Sequence, residues 1–372
     1  MTATLAATAA ALEPQRIFNH DIMGCTADGV VGNHLYSGRA LGMTEPGDII
    51  QLHPDLEPQW PYISNHYRRV GLTHTKDVLW HVRHRGLAEH PHDEISVFYF
   101  GAGEQEARSD NAWFRAVDFI NSKNNFMALA DELGVPVPKT LCFADVAAIP
   151  EADIRDFPYP CYLKAAVSVS GVGIYRCANE PELRAAMRRF EPGVPVQLQA
   201  EVVSKIFLNL QYEVDADGLH RLAATEQVLD GFAHQGNRYP ASHEPWESIE
   251  PMAEWLYREG MRGVFAFDVA VVEQSGGVEY SAIECNPRFN GASYPTGIAR
   301  KLGLRKWLAR TFCTRHRSLA DIDLMGIEYS AHKGEGVIMV NWGPVLVGKV
   351  LFLLAGSPPV QERLALELQR RL

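Results

Sequence analysis

The run Val264-Phe265-Ala266-Phe267-Asp268-Val269-Ala270-Val271-Val272 is apolar throughout except for one carboxylate. A turn-forming Gln274-Ser275-Gly276-Gly277 follows, and then Val278-Glu279-Tyr280-Ser281-Ala282-Ile283-Glu284. Two β-branched and aromatic runs joined by a Gly-containing loop predict a hairpin. Each strand of the hairpin then carries an acid, Asp268 and Glu284, toward the same end. Asn286 adds a neutral oxygen and Arg288 a permanent cation. Two carboxylates and an amide are hard oxygen donors suited to Mg²⁺, which is usually held by few protein groups plus substrate phosphates. Arg288 can hold an anion across from them in a planar fork. Taken alone, the acid pair reads equally well as a surface hairpin with incidental charges. Cys285 adjoins Glu284 on the strand, so it should face the opposite side, in the core.

A second unusual strand is Pro160-Cys161-Tyr162-Leu163-Lys164-Ala165-Ala166. A lysine inside an apolar strand is costly unless paired. The Ser168-Val169-Ser170-Gly171-Val172-Gly173-Ile174 stretch after it can turn backbone N–H groups toward anionic oxygens. Upstream, Phe126, Met127, Leu129, Ala130 and Leu133 recur at helical spacing from Asn121 on, and Gly134-Val135-Pro136-Val137-Pro138 ends the helix. Lys123 near its start reads by itself as a solvated helix lysine. The 194–202 segment alternates like a half-buried strand. Thr225-Glu226-Gln227 and 234–240 read as a polar stretch between strand-like runs, where a lone His234 is more often structural than catalytic.

Glu284-Cys285-Asn286-Pro287-Arg288 after such a hairpin resembles the metal-binding signature of the ATP-grasp superfamily, with a layout most similar to its biotin carboxylase-like, carboxylate–amine ligase branch. The resemblance spans about 121–303, with its parts in the expected order. It implies an α/β (α+β) chain: an N-terminal α/β domain followed by an ATP-grasp fold of two α+β subdomains. It implies that ATP and Mg²⁺, with Mn²⁺ as an alternative ion, are bound. By that likeness Lys123, Lys164, Ser170 and Gly171 approach the phosphates, and His234 the phosphates or the acceptor substrate. Gln199, Glu201 and Val202 lie in the hinge that takes adenine and ribose, Glu201 being the candidate for ribose. Asp268, Glu284 and Asn286 hold the metal. Arg288, Asn290 and Ser293 face the acid being activated, with Arg288 and Lys164 catalytic. The implied reaction is ATP-dependent ligation, in which a small, amino-acid-like carboxylate becomes an acylphosphate and an amine then displaces phosphate. Loading of a carrier-protein thiol and carboxylation through carboxyphosphate are the alternatives, and a non-catalytic nucleotide-binding protein is disfavoured by the intact signature.

Organisation follows from these landmarks: a disordered tail over 1–16, an N-terminal α/β domain over 17–119, a lid-side subdomain over 120–195 and a C-terminal subdomain with the metal site over 196–372. Ile95-Ser96-Val97-Phe98-Tyr99-Phe100 before Gly101-Ala102-Gly103 predicts a strand ending in a turn, as in an α/β sheet. The chain of 372 residues, 47% hydrophobic and 22% charged, is long enough for two or three domains with a substantial core. A formal net charge of −10 argues against general nucleic-acid binding, which needs a basic face. The six cysteines are scattered, which suggests reduced thiols and a cytoplasmic protein rather than a zinc site or disulfide scaffold. The Ala/Thr-rich start lacks the basic and apolar regions of a secretory signal. The apolar 336–356 stretch is broken by Asn341, Gly343, Pro344, Gly348 and Lys349 and predicts two buried strands with a turn, not a membrane span. The expected partners are small-molecule carboxylates and amines. A carrier protein and a homodimer stay open, and neither nucleic acid nor membrane is expected.

Overall fold

The computed structural model describes residues 15–26, 31–168, 173–230 and 233–372. The expected tail lies outside them as far as residue 14, and so do Ser170 and Gly171. Arg16, assigned above to the tail, instead opens the first strand.

The N-terminal region forms a parallel sheet of β1 (Arg16–Asn19), β2 (Ile49–Leu52), β3 (Asp77–Trp80) and β4 (Glu94–Val97), in the order β3-β2-β1-β4. Parallel strands covered on both faces need apolar residues at successive positions. Adjacent residues here enter different cores. Ile17 and Ile49 join a cluster with Trp113 and Phe126, whereas Phe18 and Ile50 join one with Trp342 and Phe352. The second cluster locks the C-terminal segment onto the N-terminal sheet.

A smaller antiparallel sheet holds β5 (Thr140–Phe143), β6 (Cys161–Ala165), β7 (Ile174–Cys177) and β8 (Val196–Ala200), in the order β5-β8-β6-β7. Val196–Ala200, assigned above to the following subdomain, is therefore an inner strand of this sheet. Leu163, Val196 and Leu198 pack on one face with Leu183 of the 180–187 helix, leaving Tyr162, Lys164, Gln197 and Gln199 on the other. The cysteines scattered in sequence are free, but Cys161 and Cys177 stand opposite each other in the β6–β7 register.

An eight-stranded antiparallel sheet completes the fold: β9 (Ile206–Asp215), β10 (Gly218–Asp230), β11 (Ala233–Tyr239), β12 (Gly263–Gln274), β13 (Gly277–Asn286), β14 (Trp307–Cys313), β15 (Gly336–Asn341) and β16 (Lys349–Ala355). Its order is β13-β12-β9-β10-β11-β14-β16-β15. The predicted hairpin is β12–β13, with Gln274 paired to Gly277 across the turn. The stretches at 225–227 and 234–239, expected between strands, lie within β10 and β11 and pair with each other. Strands lining a cleft put polar residues on one face, which blurs the apolar alternation. The 336–356 stretch forms β15 and β16, joined by a 3-10 turn. Among the described residues no helix is long and apolar enough to cross a membrane.

Phe265, Phe267 and Val269 of β12 and Leu208, Leu210 and Tyr212 of β9 are wholly buried against the 111–121 and 123–132 helices. Each such side chain contributes roughly 1.5–3 kcal/mol. The expected domain boundary at 119/120 falls inside the first of these helices. The second begins after Ser122, whose Oγ accepts from the Asn125 N–H, and ends before Gly134 at a φ of 68°. Left-handed backbone favours glycine there and stops the helix.

Candidate active site

Strand alternation sends one face of β9, β12 and β13 into the core and the other toward a cleft of about 1450 Å³ between the sheets and the N-terminal region. On the cleft face Asp268 pairs directly with Glu284 of β13 and with Asn209 of β9. Three side-chain amides donate to the Asp268 carboxylate: Asn209 Nδ2 and Gln227 Nε2 at 2.7 Å each, and Asn286 Nδ2 at 3.1 Å. Burial, and then the charge of Glu284, push Asp268 up to about 7 against the bonds from Asn209 and Asn286. Burial acts the same way on Glu284, but Lys123 and Lys164 more than offset it and hold that carboxyl below its usual range.

Lys123 is not a solvated helix lysine. It is buried, and its Nζ lies 3.2 Å from Glu284 Oε2. The first turn of its helix is pinned to the small sheet by Lys123 N–H donating to the Ala166 carbonyl at 2.6 Å. Lys164 enters from the small sheet, only 8% exposed, and its Nζ donates to Gln199 Oε1 at 2.6 Å. Gln199 is held in turn by donating to Thr140 Oγ1 at 3.0 Å. Burial lowers Lys164 to about 8, with Glu284 opposing the shift and Lys123 adding to it. On the same face Gln197 is buried with neither end of its amide bonded among the described residues.

The signature segment leaves β13 and docks on the N-terminal domain. Arg288 forms an antiparallel bridge with Tyr99, and the Phe289 N–H donates to the Phe98 carbonyl at 3.0 Å. The Arg288 side chain lines the cleft, and no hydrogen bond or ion pair engages its guanidinium among the described residues. Asn290 Nδ2 donates to Asn209 Oδ1 at 3.3 Å.

Lys123, Lys164, Gln199, Glu201, Val202, His234, Asp268, Glu284, Asn286, Arg288 and Asn290 all line this one cleft. Ser293 does not. It is buried, its Oγ accepting from the Asn290 N–H at 3.0 Å and donating to Asn290 Oδ1 at 3.3 Å, so it shapes the turn before the 293–301 helix. Glu201, expected to take ribose, is already occupied. Arg176 donates to both its oxygens at 2.6 and 2.9 Å, and Tyr162 OH donates to Oε1 at 3.1 Å. The Glu201 N–H is also spent, on the Pro160 carbonyl. The Gln199 side chain holds Lys164. His234 stands over Gly291, its Nε2 2.7 Å from Asn237 Oδ1. The sequence reading missed Asn209 and Gln227. Asn209 carried a signal, being a polar residue inside the apolar run Ile206-Phe207-Leu208-Asn209-Leu210, like Lys164 in its own strand.

No protein-family model matches the sequence, and a search of curated proteins finds no match. Solved structures do match. An N5-carboxyaminoimidazole ribonucleotide synthetase from Thermus thermophilus is similar at a TM-score of 0.60 and 14% identity over 96% of this chain and 98% of that one. An N5-carboxyaminoimidazole synthetase from Staphylococcus aureus, complexed with ADP, gives 0.61 and 10% over 97% and 98%. A phosphoribosylamine–glycine ligase from Thermotoga maritima gives 0.61 and 14% over 96% of each chain. The fold defines the class: this chain has the ATP-grasp fold, with an α/β domain before it. At these identities the likeness establishes architecture along nearly the whole chain, and the chemistry has to be argued from the side chains.

Proposed function

We propose that the protein is an ATP-dependent, ADP-forming ligase that activates a small, amino-acid-like carboxylic acid as its acylphosphate and passes the acyl group to an amine. The observation that carries this reading is the meeting of Lys123, Lys164, Asp268 and Glu284 with Arg288 in one cleft, on a fold shared with synthetases and a ligase. Phosphoryl transfer needs alignment and charge neutralisation more than covalent help from the protein.

Lys164 and Lys123 bind and orient the terminal phosphates. Asp268, Glu284 and Asn286 are the residues that would hold Mg²⁺. They fit it, since they are hard oxygen donors and the Asn286 amide spends its N–H on Asp268 while its oxygen has no partner among the described residues. When bound, the ion supplies neutralisation of the phosphate oxygens. Asn209 and Gln227 orient Asp268. The substrate carboxylate oxygen attacks the γ-phosphorus, the bond to the β–γ bridging oxygen breaks, and ADP leaves. The amine then attacks the acyl carbon, phosphate departs with the attacking oxygen, and the amine gives up a proton. Arg288 holds the carboxylate and then the oxyanion formed on attack, the kind of stabilisation that is usually the largest single contribution.

A second reading takes bicarbonate as the acid and carboxyphosphate as the intermediate. It is favoured by the two carboxyaminoimidazole synthetases, whose chains this one spans almost end to end. Purified protein with ATP, Mg²⁺ and hydroxylamine, tested against a panel of carboxylic acids, reveals the acid as a hydroxamate. ADP and phosphate are expected. Bicarbonate-stimulated ADP formation with no hydroxamate from any acid would select the second reading. AMP and pyrophosphate would overturn both.

A further inference from the structure

The cleft reaches beyond Arg288 to a second arginine, Arg39, on the 3-10 helix Asn33–Met43. That helix is seated hard against the C-terminal segment, since a Cβ on Gly38 would lie 2.8 Å from the Trp342 ring. The Arg39 guanidinium is 4.4 Å from the ring centroids of both Phe98 and Tyr294 and 5.3 Å from that of Tyr36. The residue is only 8% exposed, and although its side chain meets that of Tyr294, the Nε and Nη2 donors are buried with no acceptor among the described residues. Among the described residues no carboxylate forms an ion pair with it. The imidazole of His20 is held neutral by burial and then by Arg39 itself.

Aromatic faces recover only about 0.5–2 kcal/mol for a cation. An unpaired charge taken out of water costs more than that. The imbalance sits at the cleft wall. Arg288 lines the same cleft, and the residue after it, Phe289, is hydrogen-bonded to the backbone of Phe98, the ring beneath Arg39.

Resting on the ligase reading above, we infer that Arg39 binds a second anionic group of a substrate, a carboxylate or phosphate distinct from the carboxylate that reacts at Arg288, and so selects acids or acceptors bearing such a group. Tyr36 and Phe98 line the same wall and give the body between the two anions an apolar, aromatic surface.

Calorimetric titration of inorganic phosphate and of malonate, with and without Mg²⁺ and a non-hydrolysable ATP analogue, tests this. Wild-type protein should bind at least one anion, and Arg39→Gln should weaken it at least about tenfold, in line with loss of a charged hydrogen bond. Affinity for the analogue should change less than about twofold. The analogue titration reports on the nucleotide reading and the anion titration on this one, so either can fail alone. Preference for phosphate assigns a phosphorylated substrate, and preference for malonate a carboxylated one. Should Arg39→Gln fold poorly, wild-type melting at matched ionic strength replaces it, with a rise expected in the bound anion over chloride. No anion binding by wild type, equal binding by Arg39→Gln, or no such rise would overturn the assignment.

Discussion

Along the side of the cleft built from β6, β12 and β13, each charged group faces a partner. Lys123 meets Glu284, Lys164 meets Gln199, and Asp268 receives three amides. Toward the N-terminal domain, Arg39 and Arg288 line the same cleft with no ion pair among the described residues. The first side can hold its geometry before anything binds. The second has charge still to be balanced, which suits a site completed by anionic substrate. On the proposed ligase reading, nucleotide and metal belong to the sheet side, and the reacting acid to the side of the N-terminal domain.

The severest way to break that comparison is to remove charge from its paired side. Glu284→Gln keeps shape but leaves Lys123 and Lys164 without their shared carboxylate. ADP formation should fall by more than about 10²-fold, beyond the 10–100-fold typical of groups behind metal ligands. Normal turnover at low Mg²⁺ would remove Glu284 from the site. On the other side, Arg288→Ala should lower kcat on the order of 10²–10³-fold and leave affinity for an ATP analogue nearly unchanged. Arg288→Lys should rescue poorly, since an ammonium lacks the two-pronged planar donor. If Arg288→Ala loses nucleotide binding instead, the two sides are wrongly assigned.

Asn209→Ala and Gln227→Ala sharpen the account one layer back. Both donate to Asp268 Oδ1, so each variant loosens the hold on that carboxylate and should raise the Mg²⁺ concentration needed for half-maximal activity about 10–100-fold. A uniform loss of activity with unchanged Mg²⁺ dependence would mark them as merely structural. Lys164 gives a smaller, pH-specific effect. Free protein carries it at about 8, and phosphate oxygens beside it favour the charged form. The share of Lys164 in the proton exchange on nucleotide binding should therefore be uptake of about half a proton near pH 8 and almost none near pH 6, separate from the share of Asp268, which burial holds at about 7. Calorimetry in buffers of differing ionisation enthalpy measures this, and Lys164→Met should abolish it.

The parts of this site legible in the sequence were those where a charge interrupts an apolar strand. Asp268 and Lys164 stand out because burial without a partner is too costly to be accidental, and the hairpin register then brings Glu284 level with Asp268. The protein partner of Glu201 was not legible, because Arg176 comes from β7, across β6, and no local pattern reports that contact. Ser293 misled for the opposite reason: its bonds to Asn290 are local and close a turn, a use that leaves the same sequence trace as a substrate contact. The 225–240 stretch lost its strand signal because its cleft face is polar. Arg39 sits in a Gly-rich 3-10 helix, and of the rings around it only Tyr36 is near in sequence while the two closer ones arrive from 98 and 294, so no local pattern marks it.

The claim that joins both sides of the cleft is transfer of the γ-phosphoryl group to a substrate carboxylate. Once the hydroxamate assay has identified the acid, its carboxyl group can be labelled with ¹⁸O and one turnover with the natural acceptor followed by mass spectrometry of the phosphate. The mechanism predicts one ¹⁸O in inorganic phosphate for each amide formed, because the oxygen that attacks phosphorus leaves with it. Label appearing in AMP, or phosphate free of label while product accumulates, would contradict it.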